Sequence, residues 1–245
     1  DPSDTKEQER GKQKIKRGGI WYTPQSGIWQ TVWAESVPEE YIQELVITPL
    51  FDESSVEITA YSNKPNSASE CIVRVGDVVA YGMADQPIRM SMAGFRAWSP
   101  ESPYLYDVEI SVVNGGKTVD GGILHMGIRN AEFCGKDGFW LNGKPYHQLI
   151  GGNRHQDFAY VGNAVPNSQQ WRDAKRLKDA GMTIIRAAHY PQDPAFMDAC
   201  DELGLFIIVP TPGWQYWNKD PKFGELVHEN TRQIIRRDRN HTSVL

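Results

Sequence analysis

Met182-Thr183-Ile184-Ile185-Arg186-Ala187-Ala188-His189-Tyr190-Pro191 decides how the second half of the chain is read. Thr183, Ile184 and Ile185 form a short β-branched run, the pattern of a strand buried on both faces. The run ends in Arg186 and His189 rather than in apolar residues or a turn, and Pro191 stops any regular continuation. Cationic groups at the carboxyl end of a buried parallel strand are costly to desolvate unless something polar meets them. In a barrel of alternating strands and helices, that end is where substrates bind. The alternative reading is a capped strand whose arginine pairs with a core carboxylate.

The flanking residues repeat the same rhythm. His147 to Gly151 reads as a first buried strand. Asn167 is placed to cap a helix, with Gln170 in the reciprocal capping-box position. Trp171, Ala174 and Leu177 face inward in that helix, Lys175, Arg176 and Lys178 outward, and Gly181 takes the residue after its end. Beyond the Thr183 strand, Asp193 caps a second helix with Pro194 at its first position. Phe196, Met197, Cys200 and Leu203 form its buried stripe, and Gly204 ends it. Leu205 to Val209 is a third strand. Phe223, Leu226, Val227 and Ile234 mark a third helix, and Thr242-Ser243-Val244-Leu245 starts a fourth strand. Strands and helices in alternation with short links predict parallel pairing and right-handed crossovers. A complete (β/α)₈ barrel takes about 250 residues, so the stretch after Arg129 covers less than half of one.

Upstream the period changes to two. Val56, Ile58 and Ala60 alternate with Glu57, Thr59 and Tyr61; Cys71, Val73 and Val75 with Ile72 and Arg74. Ile88, Met90 and Met92 alternate with Arg89 and Ser91; Tyr106, Val108, Ile110 and Val112 with Asp107, Glu109 and Ser111. Asn114-Gly115-Gly116 supplies a hairpin turn, as does Asn142-Gly143 within Trp140–Pro145. From Val37 to about Arg129 this predicts an immunoglobulin-like β-sandwich, without the Cys…Trp…Cys spacing of antibody domains. Ile28 to Glu35 reads as one more strand, and Asp1 to Gly19 as a polar surface segment.

The 245 residues carry a net charge of −5, which argues against nucleic acid or an anionic membrane as partner. No apolar run is long enough to span a bilayer. The N-terminus, Asp-Pro-Ser-Asp, is no signal peptide, and the chain reads as beginning inside a domain, which leaves a periplasmic or secreted parent open. Cys71, Cys134 and Cys200 have neither metal-ligand spacing nor an even disulfide framework, so Cys71 and Cys200 read as small core residues.

Three places carry polar or aromatic groups at strand ends: His155, Arg186 with His189, and Trp214 with Trp217. Aromatic rings beside hydrogen-bond donors suit a sugar, which offers C–H faces for stacking and hydroxyls for bonding. The competing reading of the two tryptophans is a packed loop over the barrel mouth. No His-x-His or His-Glu-x-x-His occurs, so no metal and no cofactor is expected. Gly-x-Ser-x-Gly is absent. Asp201 and Glu202 read as a solvated helix end. Asp157 borders His155 but pairs with no second carboxylate.

Several motifs resemble glycoside hydrolase family 2, which holds β-galactosidases, β-glucuronidases and β-mannosidases. Tyr22–Trp33 (YTPQSGIWQTVW) is similar to the last strands of its N-terminal jelly-roll sugar-binding domain. Trp98–Tyr106 (WSPESPYLY) is similar to the signature near the end of its immunoglobulin-like domain. Phe139–Lys144, Gly152–His155 and Arg186–Pro191 resemble the start of its barrel, and Arg239–Val244 (RNHTSV) the segment before its catalytic strand. The resemblance implies three parts: residues 1–36 end the jelly roll, 37–129 form the sandwich, and 130–245 begin a TIM barrel. It implies a retaining exo-β-glycosidase most like a β-galactosidase, with a β-glycoside or oligosaccharide as partner and a homo-oligomer left open. It places His155, Arg186 and His189 on the sugar pocket and aligns Asp1 with an aspartate reaching that pocket from the jelly roll. Both catalytic glutamates of the family fall beyond Leu245, so no catalytic residue is expected here and the chain alone is expected to be inactive. Where the family often has an acidic residue after the third strand, this chain has Val209-Pro210-Thr211-Pro212. A non-catalytic carbohydrate-binding module and a metal-dependent barrel hydrolase are the competing classes.

Overall fold

Side-chain alternation builds two antiparallel sheets. The computed structural model describes residues 9, 12–212 and 216–245. β1 (Ile42–Leu50), β2 (Ser55–Ser62), β3 (Glu70–Val75), β4 (Val78–Met83), β5 (Ile88–Ser91), β6 (Tyr106–Asn114) and β7 (Lys117–Met126) follow in chain order. They sort into sheets of order β1-β2-β5 and β4-β3-β6-β7. Val56, Ile58, Cys71, Val73, Met90 and Val108 are at most 2% exposed and meet in one core. Full burial of such a side chain contributes roughly 1.5–3 kcal/mol, so the alternation specifies the sandwich. The period-two reading thus holds, and between residues 40 and 125 the helical content is a single 3₁₀ turn at Phe51–Glu53. Asn114 and Lys117 pair across the β6–β7 hairpin, where Gly115 and Gly116 take φ of 55° and 76°, the left-handed pair such a turn demands.

A small antiparallel sheet follows, from β8 (Ala131–Phe133), β9 (Phe139–Leu141) and β10 (Lys144–Pro145), with β9 and β10 joined at Asn142-Gly143 as expected. The chain divides into two units, one of described residues up to Val32 with Leu149–Leu245, the other Trp33–Gln148. Residues 130–148, which the sequence reading assigns to the barrel segment, therefore cluster with the sandwich.

The other unit holds a parallel sheet, β11 (Gly151–Arg154), β12 (Ile184–Ala187) and β13 (Phe206–Ile208), in that order. Ile207 accepts the start of a fourth parallel strand: its N–H donates to Ser243, and Leu245 donates back, at 2.9 and 3.0 Å. α1 (Asn167–Asp179), α2 (Pro194–Leu203) and α3 (Pro221–Asp238) fall where the stripes predict. Ile185, Ala187, Phe196, Met197, Cys200, Leu205 and Ile207 form the core between sheet and helices. Asp193 caps α2 by accepting from the Ala195 amide at 2.9 Å, and Gly181 and Gly204 follow α1 and α2. Cys71 and Cys200 are buried free thiols.

Five local expectations need correction. The first parallel strand is 151–154, not 147–151; His147 to Ile150 lie outside it, Ile150 being 58% exposed. A Cβ on Gly151 would stand 1.6 Å from the Ile184 carbonyl oxygen, so this strand is defined by close backbone approach and carries no apolar pattern. Residues 28–35 form no strand; Ile28, Val32 and Trp33 are 74–82% exposed, and no described strand offers them a ladder. Pro166, not Asn167, precedes α1, and Gln170 turns inward instead of closing a capping box. Trp171 is exposed and donates to Glu202 at 3.0 Å. Asp201 is buried rather than solvated, accepting from the Ser243 amide and bonding His241, each at 2.7 Å.

Candidate active site

β11 and β12 run parallel with Arg154 opposite Ala187, so the residues that follow them emerge at one end of the sheet. His155 leaves β11 directly and His189 follows two residues after β12. Their rings meet edge to face at 5.4 Å. Arg186 Nη1 donates to His189 Nδ1 at 2.6 Å. On the other side, the Tyr22 hydroxyl bonds His155 Nε2 at 2.9 Å with the rings 4.7 Å apart. Two hydrogen-bonded pairs, Tyr22–His155 and His189–Arg186, are thus joined by a ring contact. Gln25 fastens the N-terminal segment alongside, accepting from the Asn163 amide at 2.8 Å.

Burial pushes both histidines below the ordinary imidazole value. For His155, Lys12 adds to the effect while Asp157 opposes it. For His189, the Arg186 charge and then His155 and Lys12 add to it. Because Arg186 is always a donor, His189 Nδ1 is the acceptor, and the neutral ring carries its proton on Nε2. Burial and Asp157 hold Tyr190 protonated, pushed up to about 12. At neutral pH the cluster is therefore a set of neutral donors and acceptors around one guanidinium.

A cavity of about 380 Å³ opens beside these pairs, lined by Arg186 and His189, by Pro210, Thr211 and Pro212 after β13, and by Tyr216. Phe223 and Val227 of α3 supply apolar wall, and Tyr216 packs on Phe223 with ring centroids 5.6 Å apart. Glu9, from the N-terminal segment, contributes a carboxyl. Pockets of 300–1,000 Å³ with apolar walls and a few convergent polar groups are the usual form of a small-molecule site. Among the described residues no group of three or more His, Cys, Asp or Glu is arranged to hold a metal ion.

Of the residues singled out from sequence, His155, Arg186 and His189 come together. Trp217 is 69% exposed and does not line the cavity, whereas its neighbour Tyr216 does. Trp214 and Asp1 lie outside the described residues. The buried arginine is not Arg186 but Arg154, a residue the sequence reading passed over. It ion-pairs with Asp173 at 2.8 Å, donates to Gln192 and Gln170, and sits 3.9 Å over the Phe196 ring. Tyr22 and Glu9 were also passed over as site residues. Both belong to a segment without periodicity, and the only signal for Tyr22 is its place in the YTPQSGIW motif.

Residues 40–129 match the family described as "Glycosyl hydrolases family 2", and residues 134–245 match its "TIM barrel domain". A β-galactosidase of Thermoanaerobacter pseudethanolicus is 34% identical over 236 residues, covering 89% of this chain and 31% of that protein. Among solved structures, a β-glycosidase from Bacteroides vulgatus superposes with a TM-score of 0.79 at 26% identity, covering 93% of this chain and 32% of that one. A Bacteroides uniformis β-glucuronidase gives 0.72 at 27% identity, over 85% and 28%. The chain thus spans about a third or less of these relatives. Two adjoining matches to parts of one family, in the order in which a sandwich and a parallel α/β segment occur here, lead to one assignment: this chain belongs to glycosyl hydrolase family 2.

Proposed function

We propose that the protein carrying this segment is a retaining exo-β-glycosidase acting on terminal β-linked sugars, most like a β-galactosidase. In this proposal residues 1–36 end a jelly-roll sugar-binding domain, 37–129 form the immunoglobulin-like domain, and 130–245 begin the TIM barrel. The observation that carries the reading is the convergence of Tyr22, His155, His189 and Arg186 at one end of a parallel sheet, beside the cavity. The carboxyl ends of barrel strands are where the catalytic face of this architecture lies. Arg186 is a donor for sugar hydroxyls, and His189 lines the cavity beside it. Tyr216 offers an aromatic face for ring C–H groups. Retaining hydrolysis needs two carboxyls about 5–5.5 Å apart, one to protonate the leaving oxygen and one to attack the anomeric carbon. Glu9 is the one carboxyl among the described residues lining the cavity, so these residues bind and orient, and the family resemblance supplies the expectation of two catalytic glutamates elsewhere.

The test is turnover of aryl β-galactoside, β-glucuronide and β-mannoside by the full-length protein and its His189→Ala variant. The galactoside should be hydrolysed with retention of configuration. The variant should lose about 10²-fold in kcat/KM, the worth of one or two orienting bonds, while its melting temperature stays close to that of the parent. Sugar binding without hydrolysis of any of the three would favour the binding-module reading instead.

A further inference from the structure

Glu9 is the cavity residue that neither the motifs nor the family matches single out. It lines the same cavity as Arg186 and His189. Its Oε2 accepts from Asn230 Nδ2 of α3 at 2.6 Å. Among the described residues this is the bond it makes, which leaves Oε1 as an acceptor on a half-buried carboxylate. Burial raises its pKa and the Asn230 bond works against the rise, as expected of a carboxylate held short of partners. The cavity is thus bipolar. Arg186 donates from the strand end beside His189, Glu9 accepts from the N-terminal segment, and Tyr216, Phe223 and the Pro210–Pro212 stretch between them offer no further charge.

Such a cavity discriminates between sugars by charge. A neutral hexose presents hydroxyls that donate to Glu9 and accept from Arg186 in one pose. A uronic acid can satisfy the donors, but its carboxylate then shares the same partly apolar cavity with a second carboxylate. Like charges so placed are strongly unfavourable. Resting on the glycosidase reading above, we infer that Glu9 is a specificity-determining residue: it favours neutral β-hexosides and turns away β-uronides. The competing role is a tether, in which Glu9 only fastens the N-terminal segment to α3 through Asn230.

Two variants of the full-length protein separate these roles. Glu9→Gln keeps an oxygen that can accept from Asn230 and removes the charge. Asn230→Ala keeps the charge and removes the tether. With aryl β-galactoside and β-glucuronide as probes, Glu9→Gln should shift the ratio of the two kcat/KM values toward the glucuronide by about tenfold or more, the equivalent of one charge-assisted interaction. The change should sit mainly in KM, and inhibition by free D-glucuronate should tighten while that by D-galactose weakens. Asn230→Ala should leave the ratio within about twofold, well short of one such interaction. An unchanged ratio in Glu9→Gln, or equal shifts in both variants, overturns the inference while leaving the glycosidase reading intact. A parent that already prefers the glucuronide overturns it too. Absence of turnover of either glycoside by the parent overturns the glycosidase reading and this inference with it.

Discussion

Two carboxylates, Glu40 in the sandwich and Glu9 in the other unit, are treated in opposite ways. In the sandwich, Glu40 is 6% exposed and accepts from Ser67 at 2.6 Å, Ser69 at 2.7 Å, Asn114 at 2.9 Å and Ser62 at 3.4 Å. Those bonds hold its carboxyl down at about 2. Glu9, which lines the cavity, makes one bond among the described residues and burial raises its pKa. A saturated polar group locks a fold, whereas a buried group short of partners costs stability unless a ligand completes it. The same contrast separates the arginines of adjacent strands. The terminal nitrogens of Arg154 reach three acceptors, although its buried Nε has none, while Arg186 meets a ring nitrogen and a cavity.

The largest effect should come from breaking the buried arginine. Arg154→Met removes the partner of Asp173 and strands the side-chain oxygens of Gln170 and Gln192. Loss of one member of a buried pair costs about 3–5 kcal/mol. Denaturant unfolding should show that loss in the parallel unit and leave the sandwich transition in place. A loss under about 1 kcal/mol, the range of an exposed pair, would mean that Arg154 is not the lock its geometry suggests.

Glu40→Ala should cost somewhat less, roughly 2–4 kcal/mol, because hydrogen bonds to a charged acceptor contribute about 1.5–3 kcal/mol each and water will recover some of them. The pH dependence has a definite sign. The folded pKa of about 2 lies below the ordinary glutamate value of about 4.3, so the contribution is complete above that value and is lost as pH falls toward 2. Acid unfolding of the sandwich should therefore lose this part of its dependence in Glu40→Ala. Parallel acid curves for parent and variant would show that the four bonds do not favour the ionised form.

What the sequence made legible follows the same division. Each sandwich sheet has one dry face, so Val56, Ile58, Val73 and Val108 announce their strands two residues apart. Helix stripes and the Asp193-Pro194 cap are equally local. β11 is different: Gly151 is there because the neighbouring backbone leaves no room for a side chain, and glycine carries no hydropathy signal. The strand was misplaced for that reason, although His155 remained at its end. Asp201 was misread because its partners are 40 and 42 residues away, and no local pattern distinguishes a carboxylate waiting for them from a solvated one. Glu9 was illegible on the same ground, in a segment whose importance lies wholly in what it touches, Asn230 lying 221 residues on.

The smallest effect on stability, and the sharpest use of the contrast, should come from Arg186→Ala. Arg186 is half-buried, and its Nη1 bond to His189 is the contact that defines it. Removing it opens space that already borders a cavity, so the fold should lose no more than about 1 kcal/mol. Affinity for galactose should nevertheless fall roughly tenfold to a hundredfold, since a charge-assisted bond contributes about 1.5–3 kcal/mol and each 1.4 kcal/mol is a decade. A second consequence is independent of any ligand. Burial and then the Arg186 charge hold His189 below the ordinary imidazole value. Taking away the charge removes the second cause, and water entering the vacated space weakens the first. Both act in one direction, so the His189 pKa must rise in Arg186→Ala. Titration of its ring protons by NMR reads this directly. A His189 pKa that stays put, or a loss of stability matching that of Arg154→Met, would place Arg186 among the locks of the fold and not at a site waiting for a sugar.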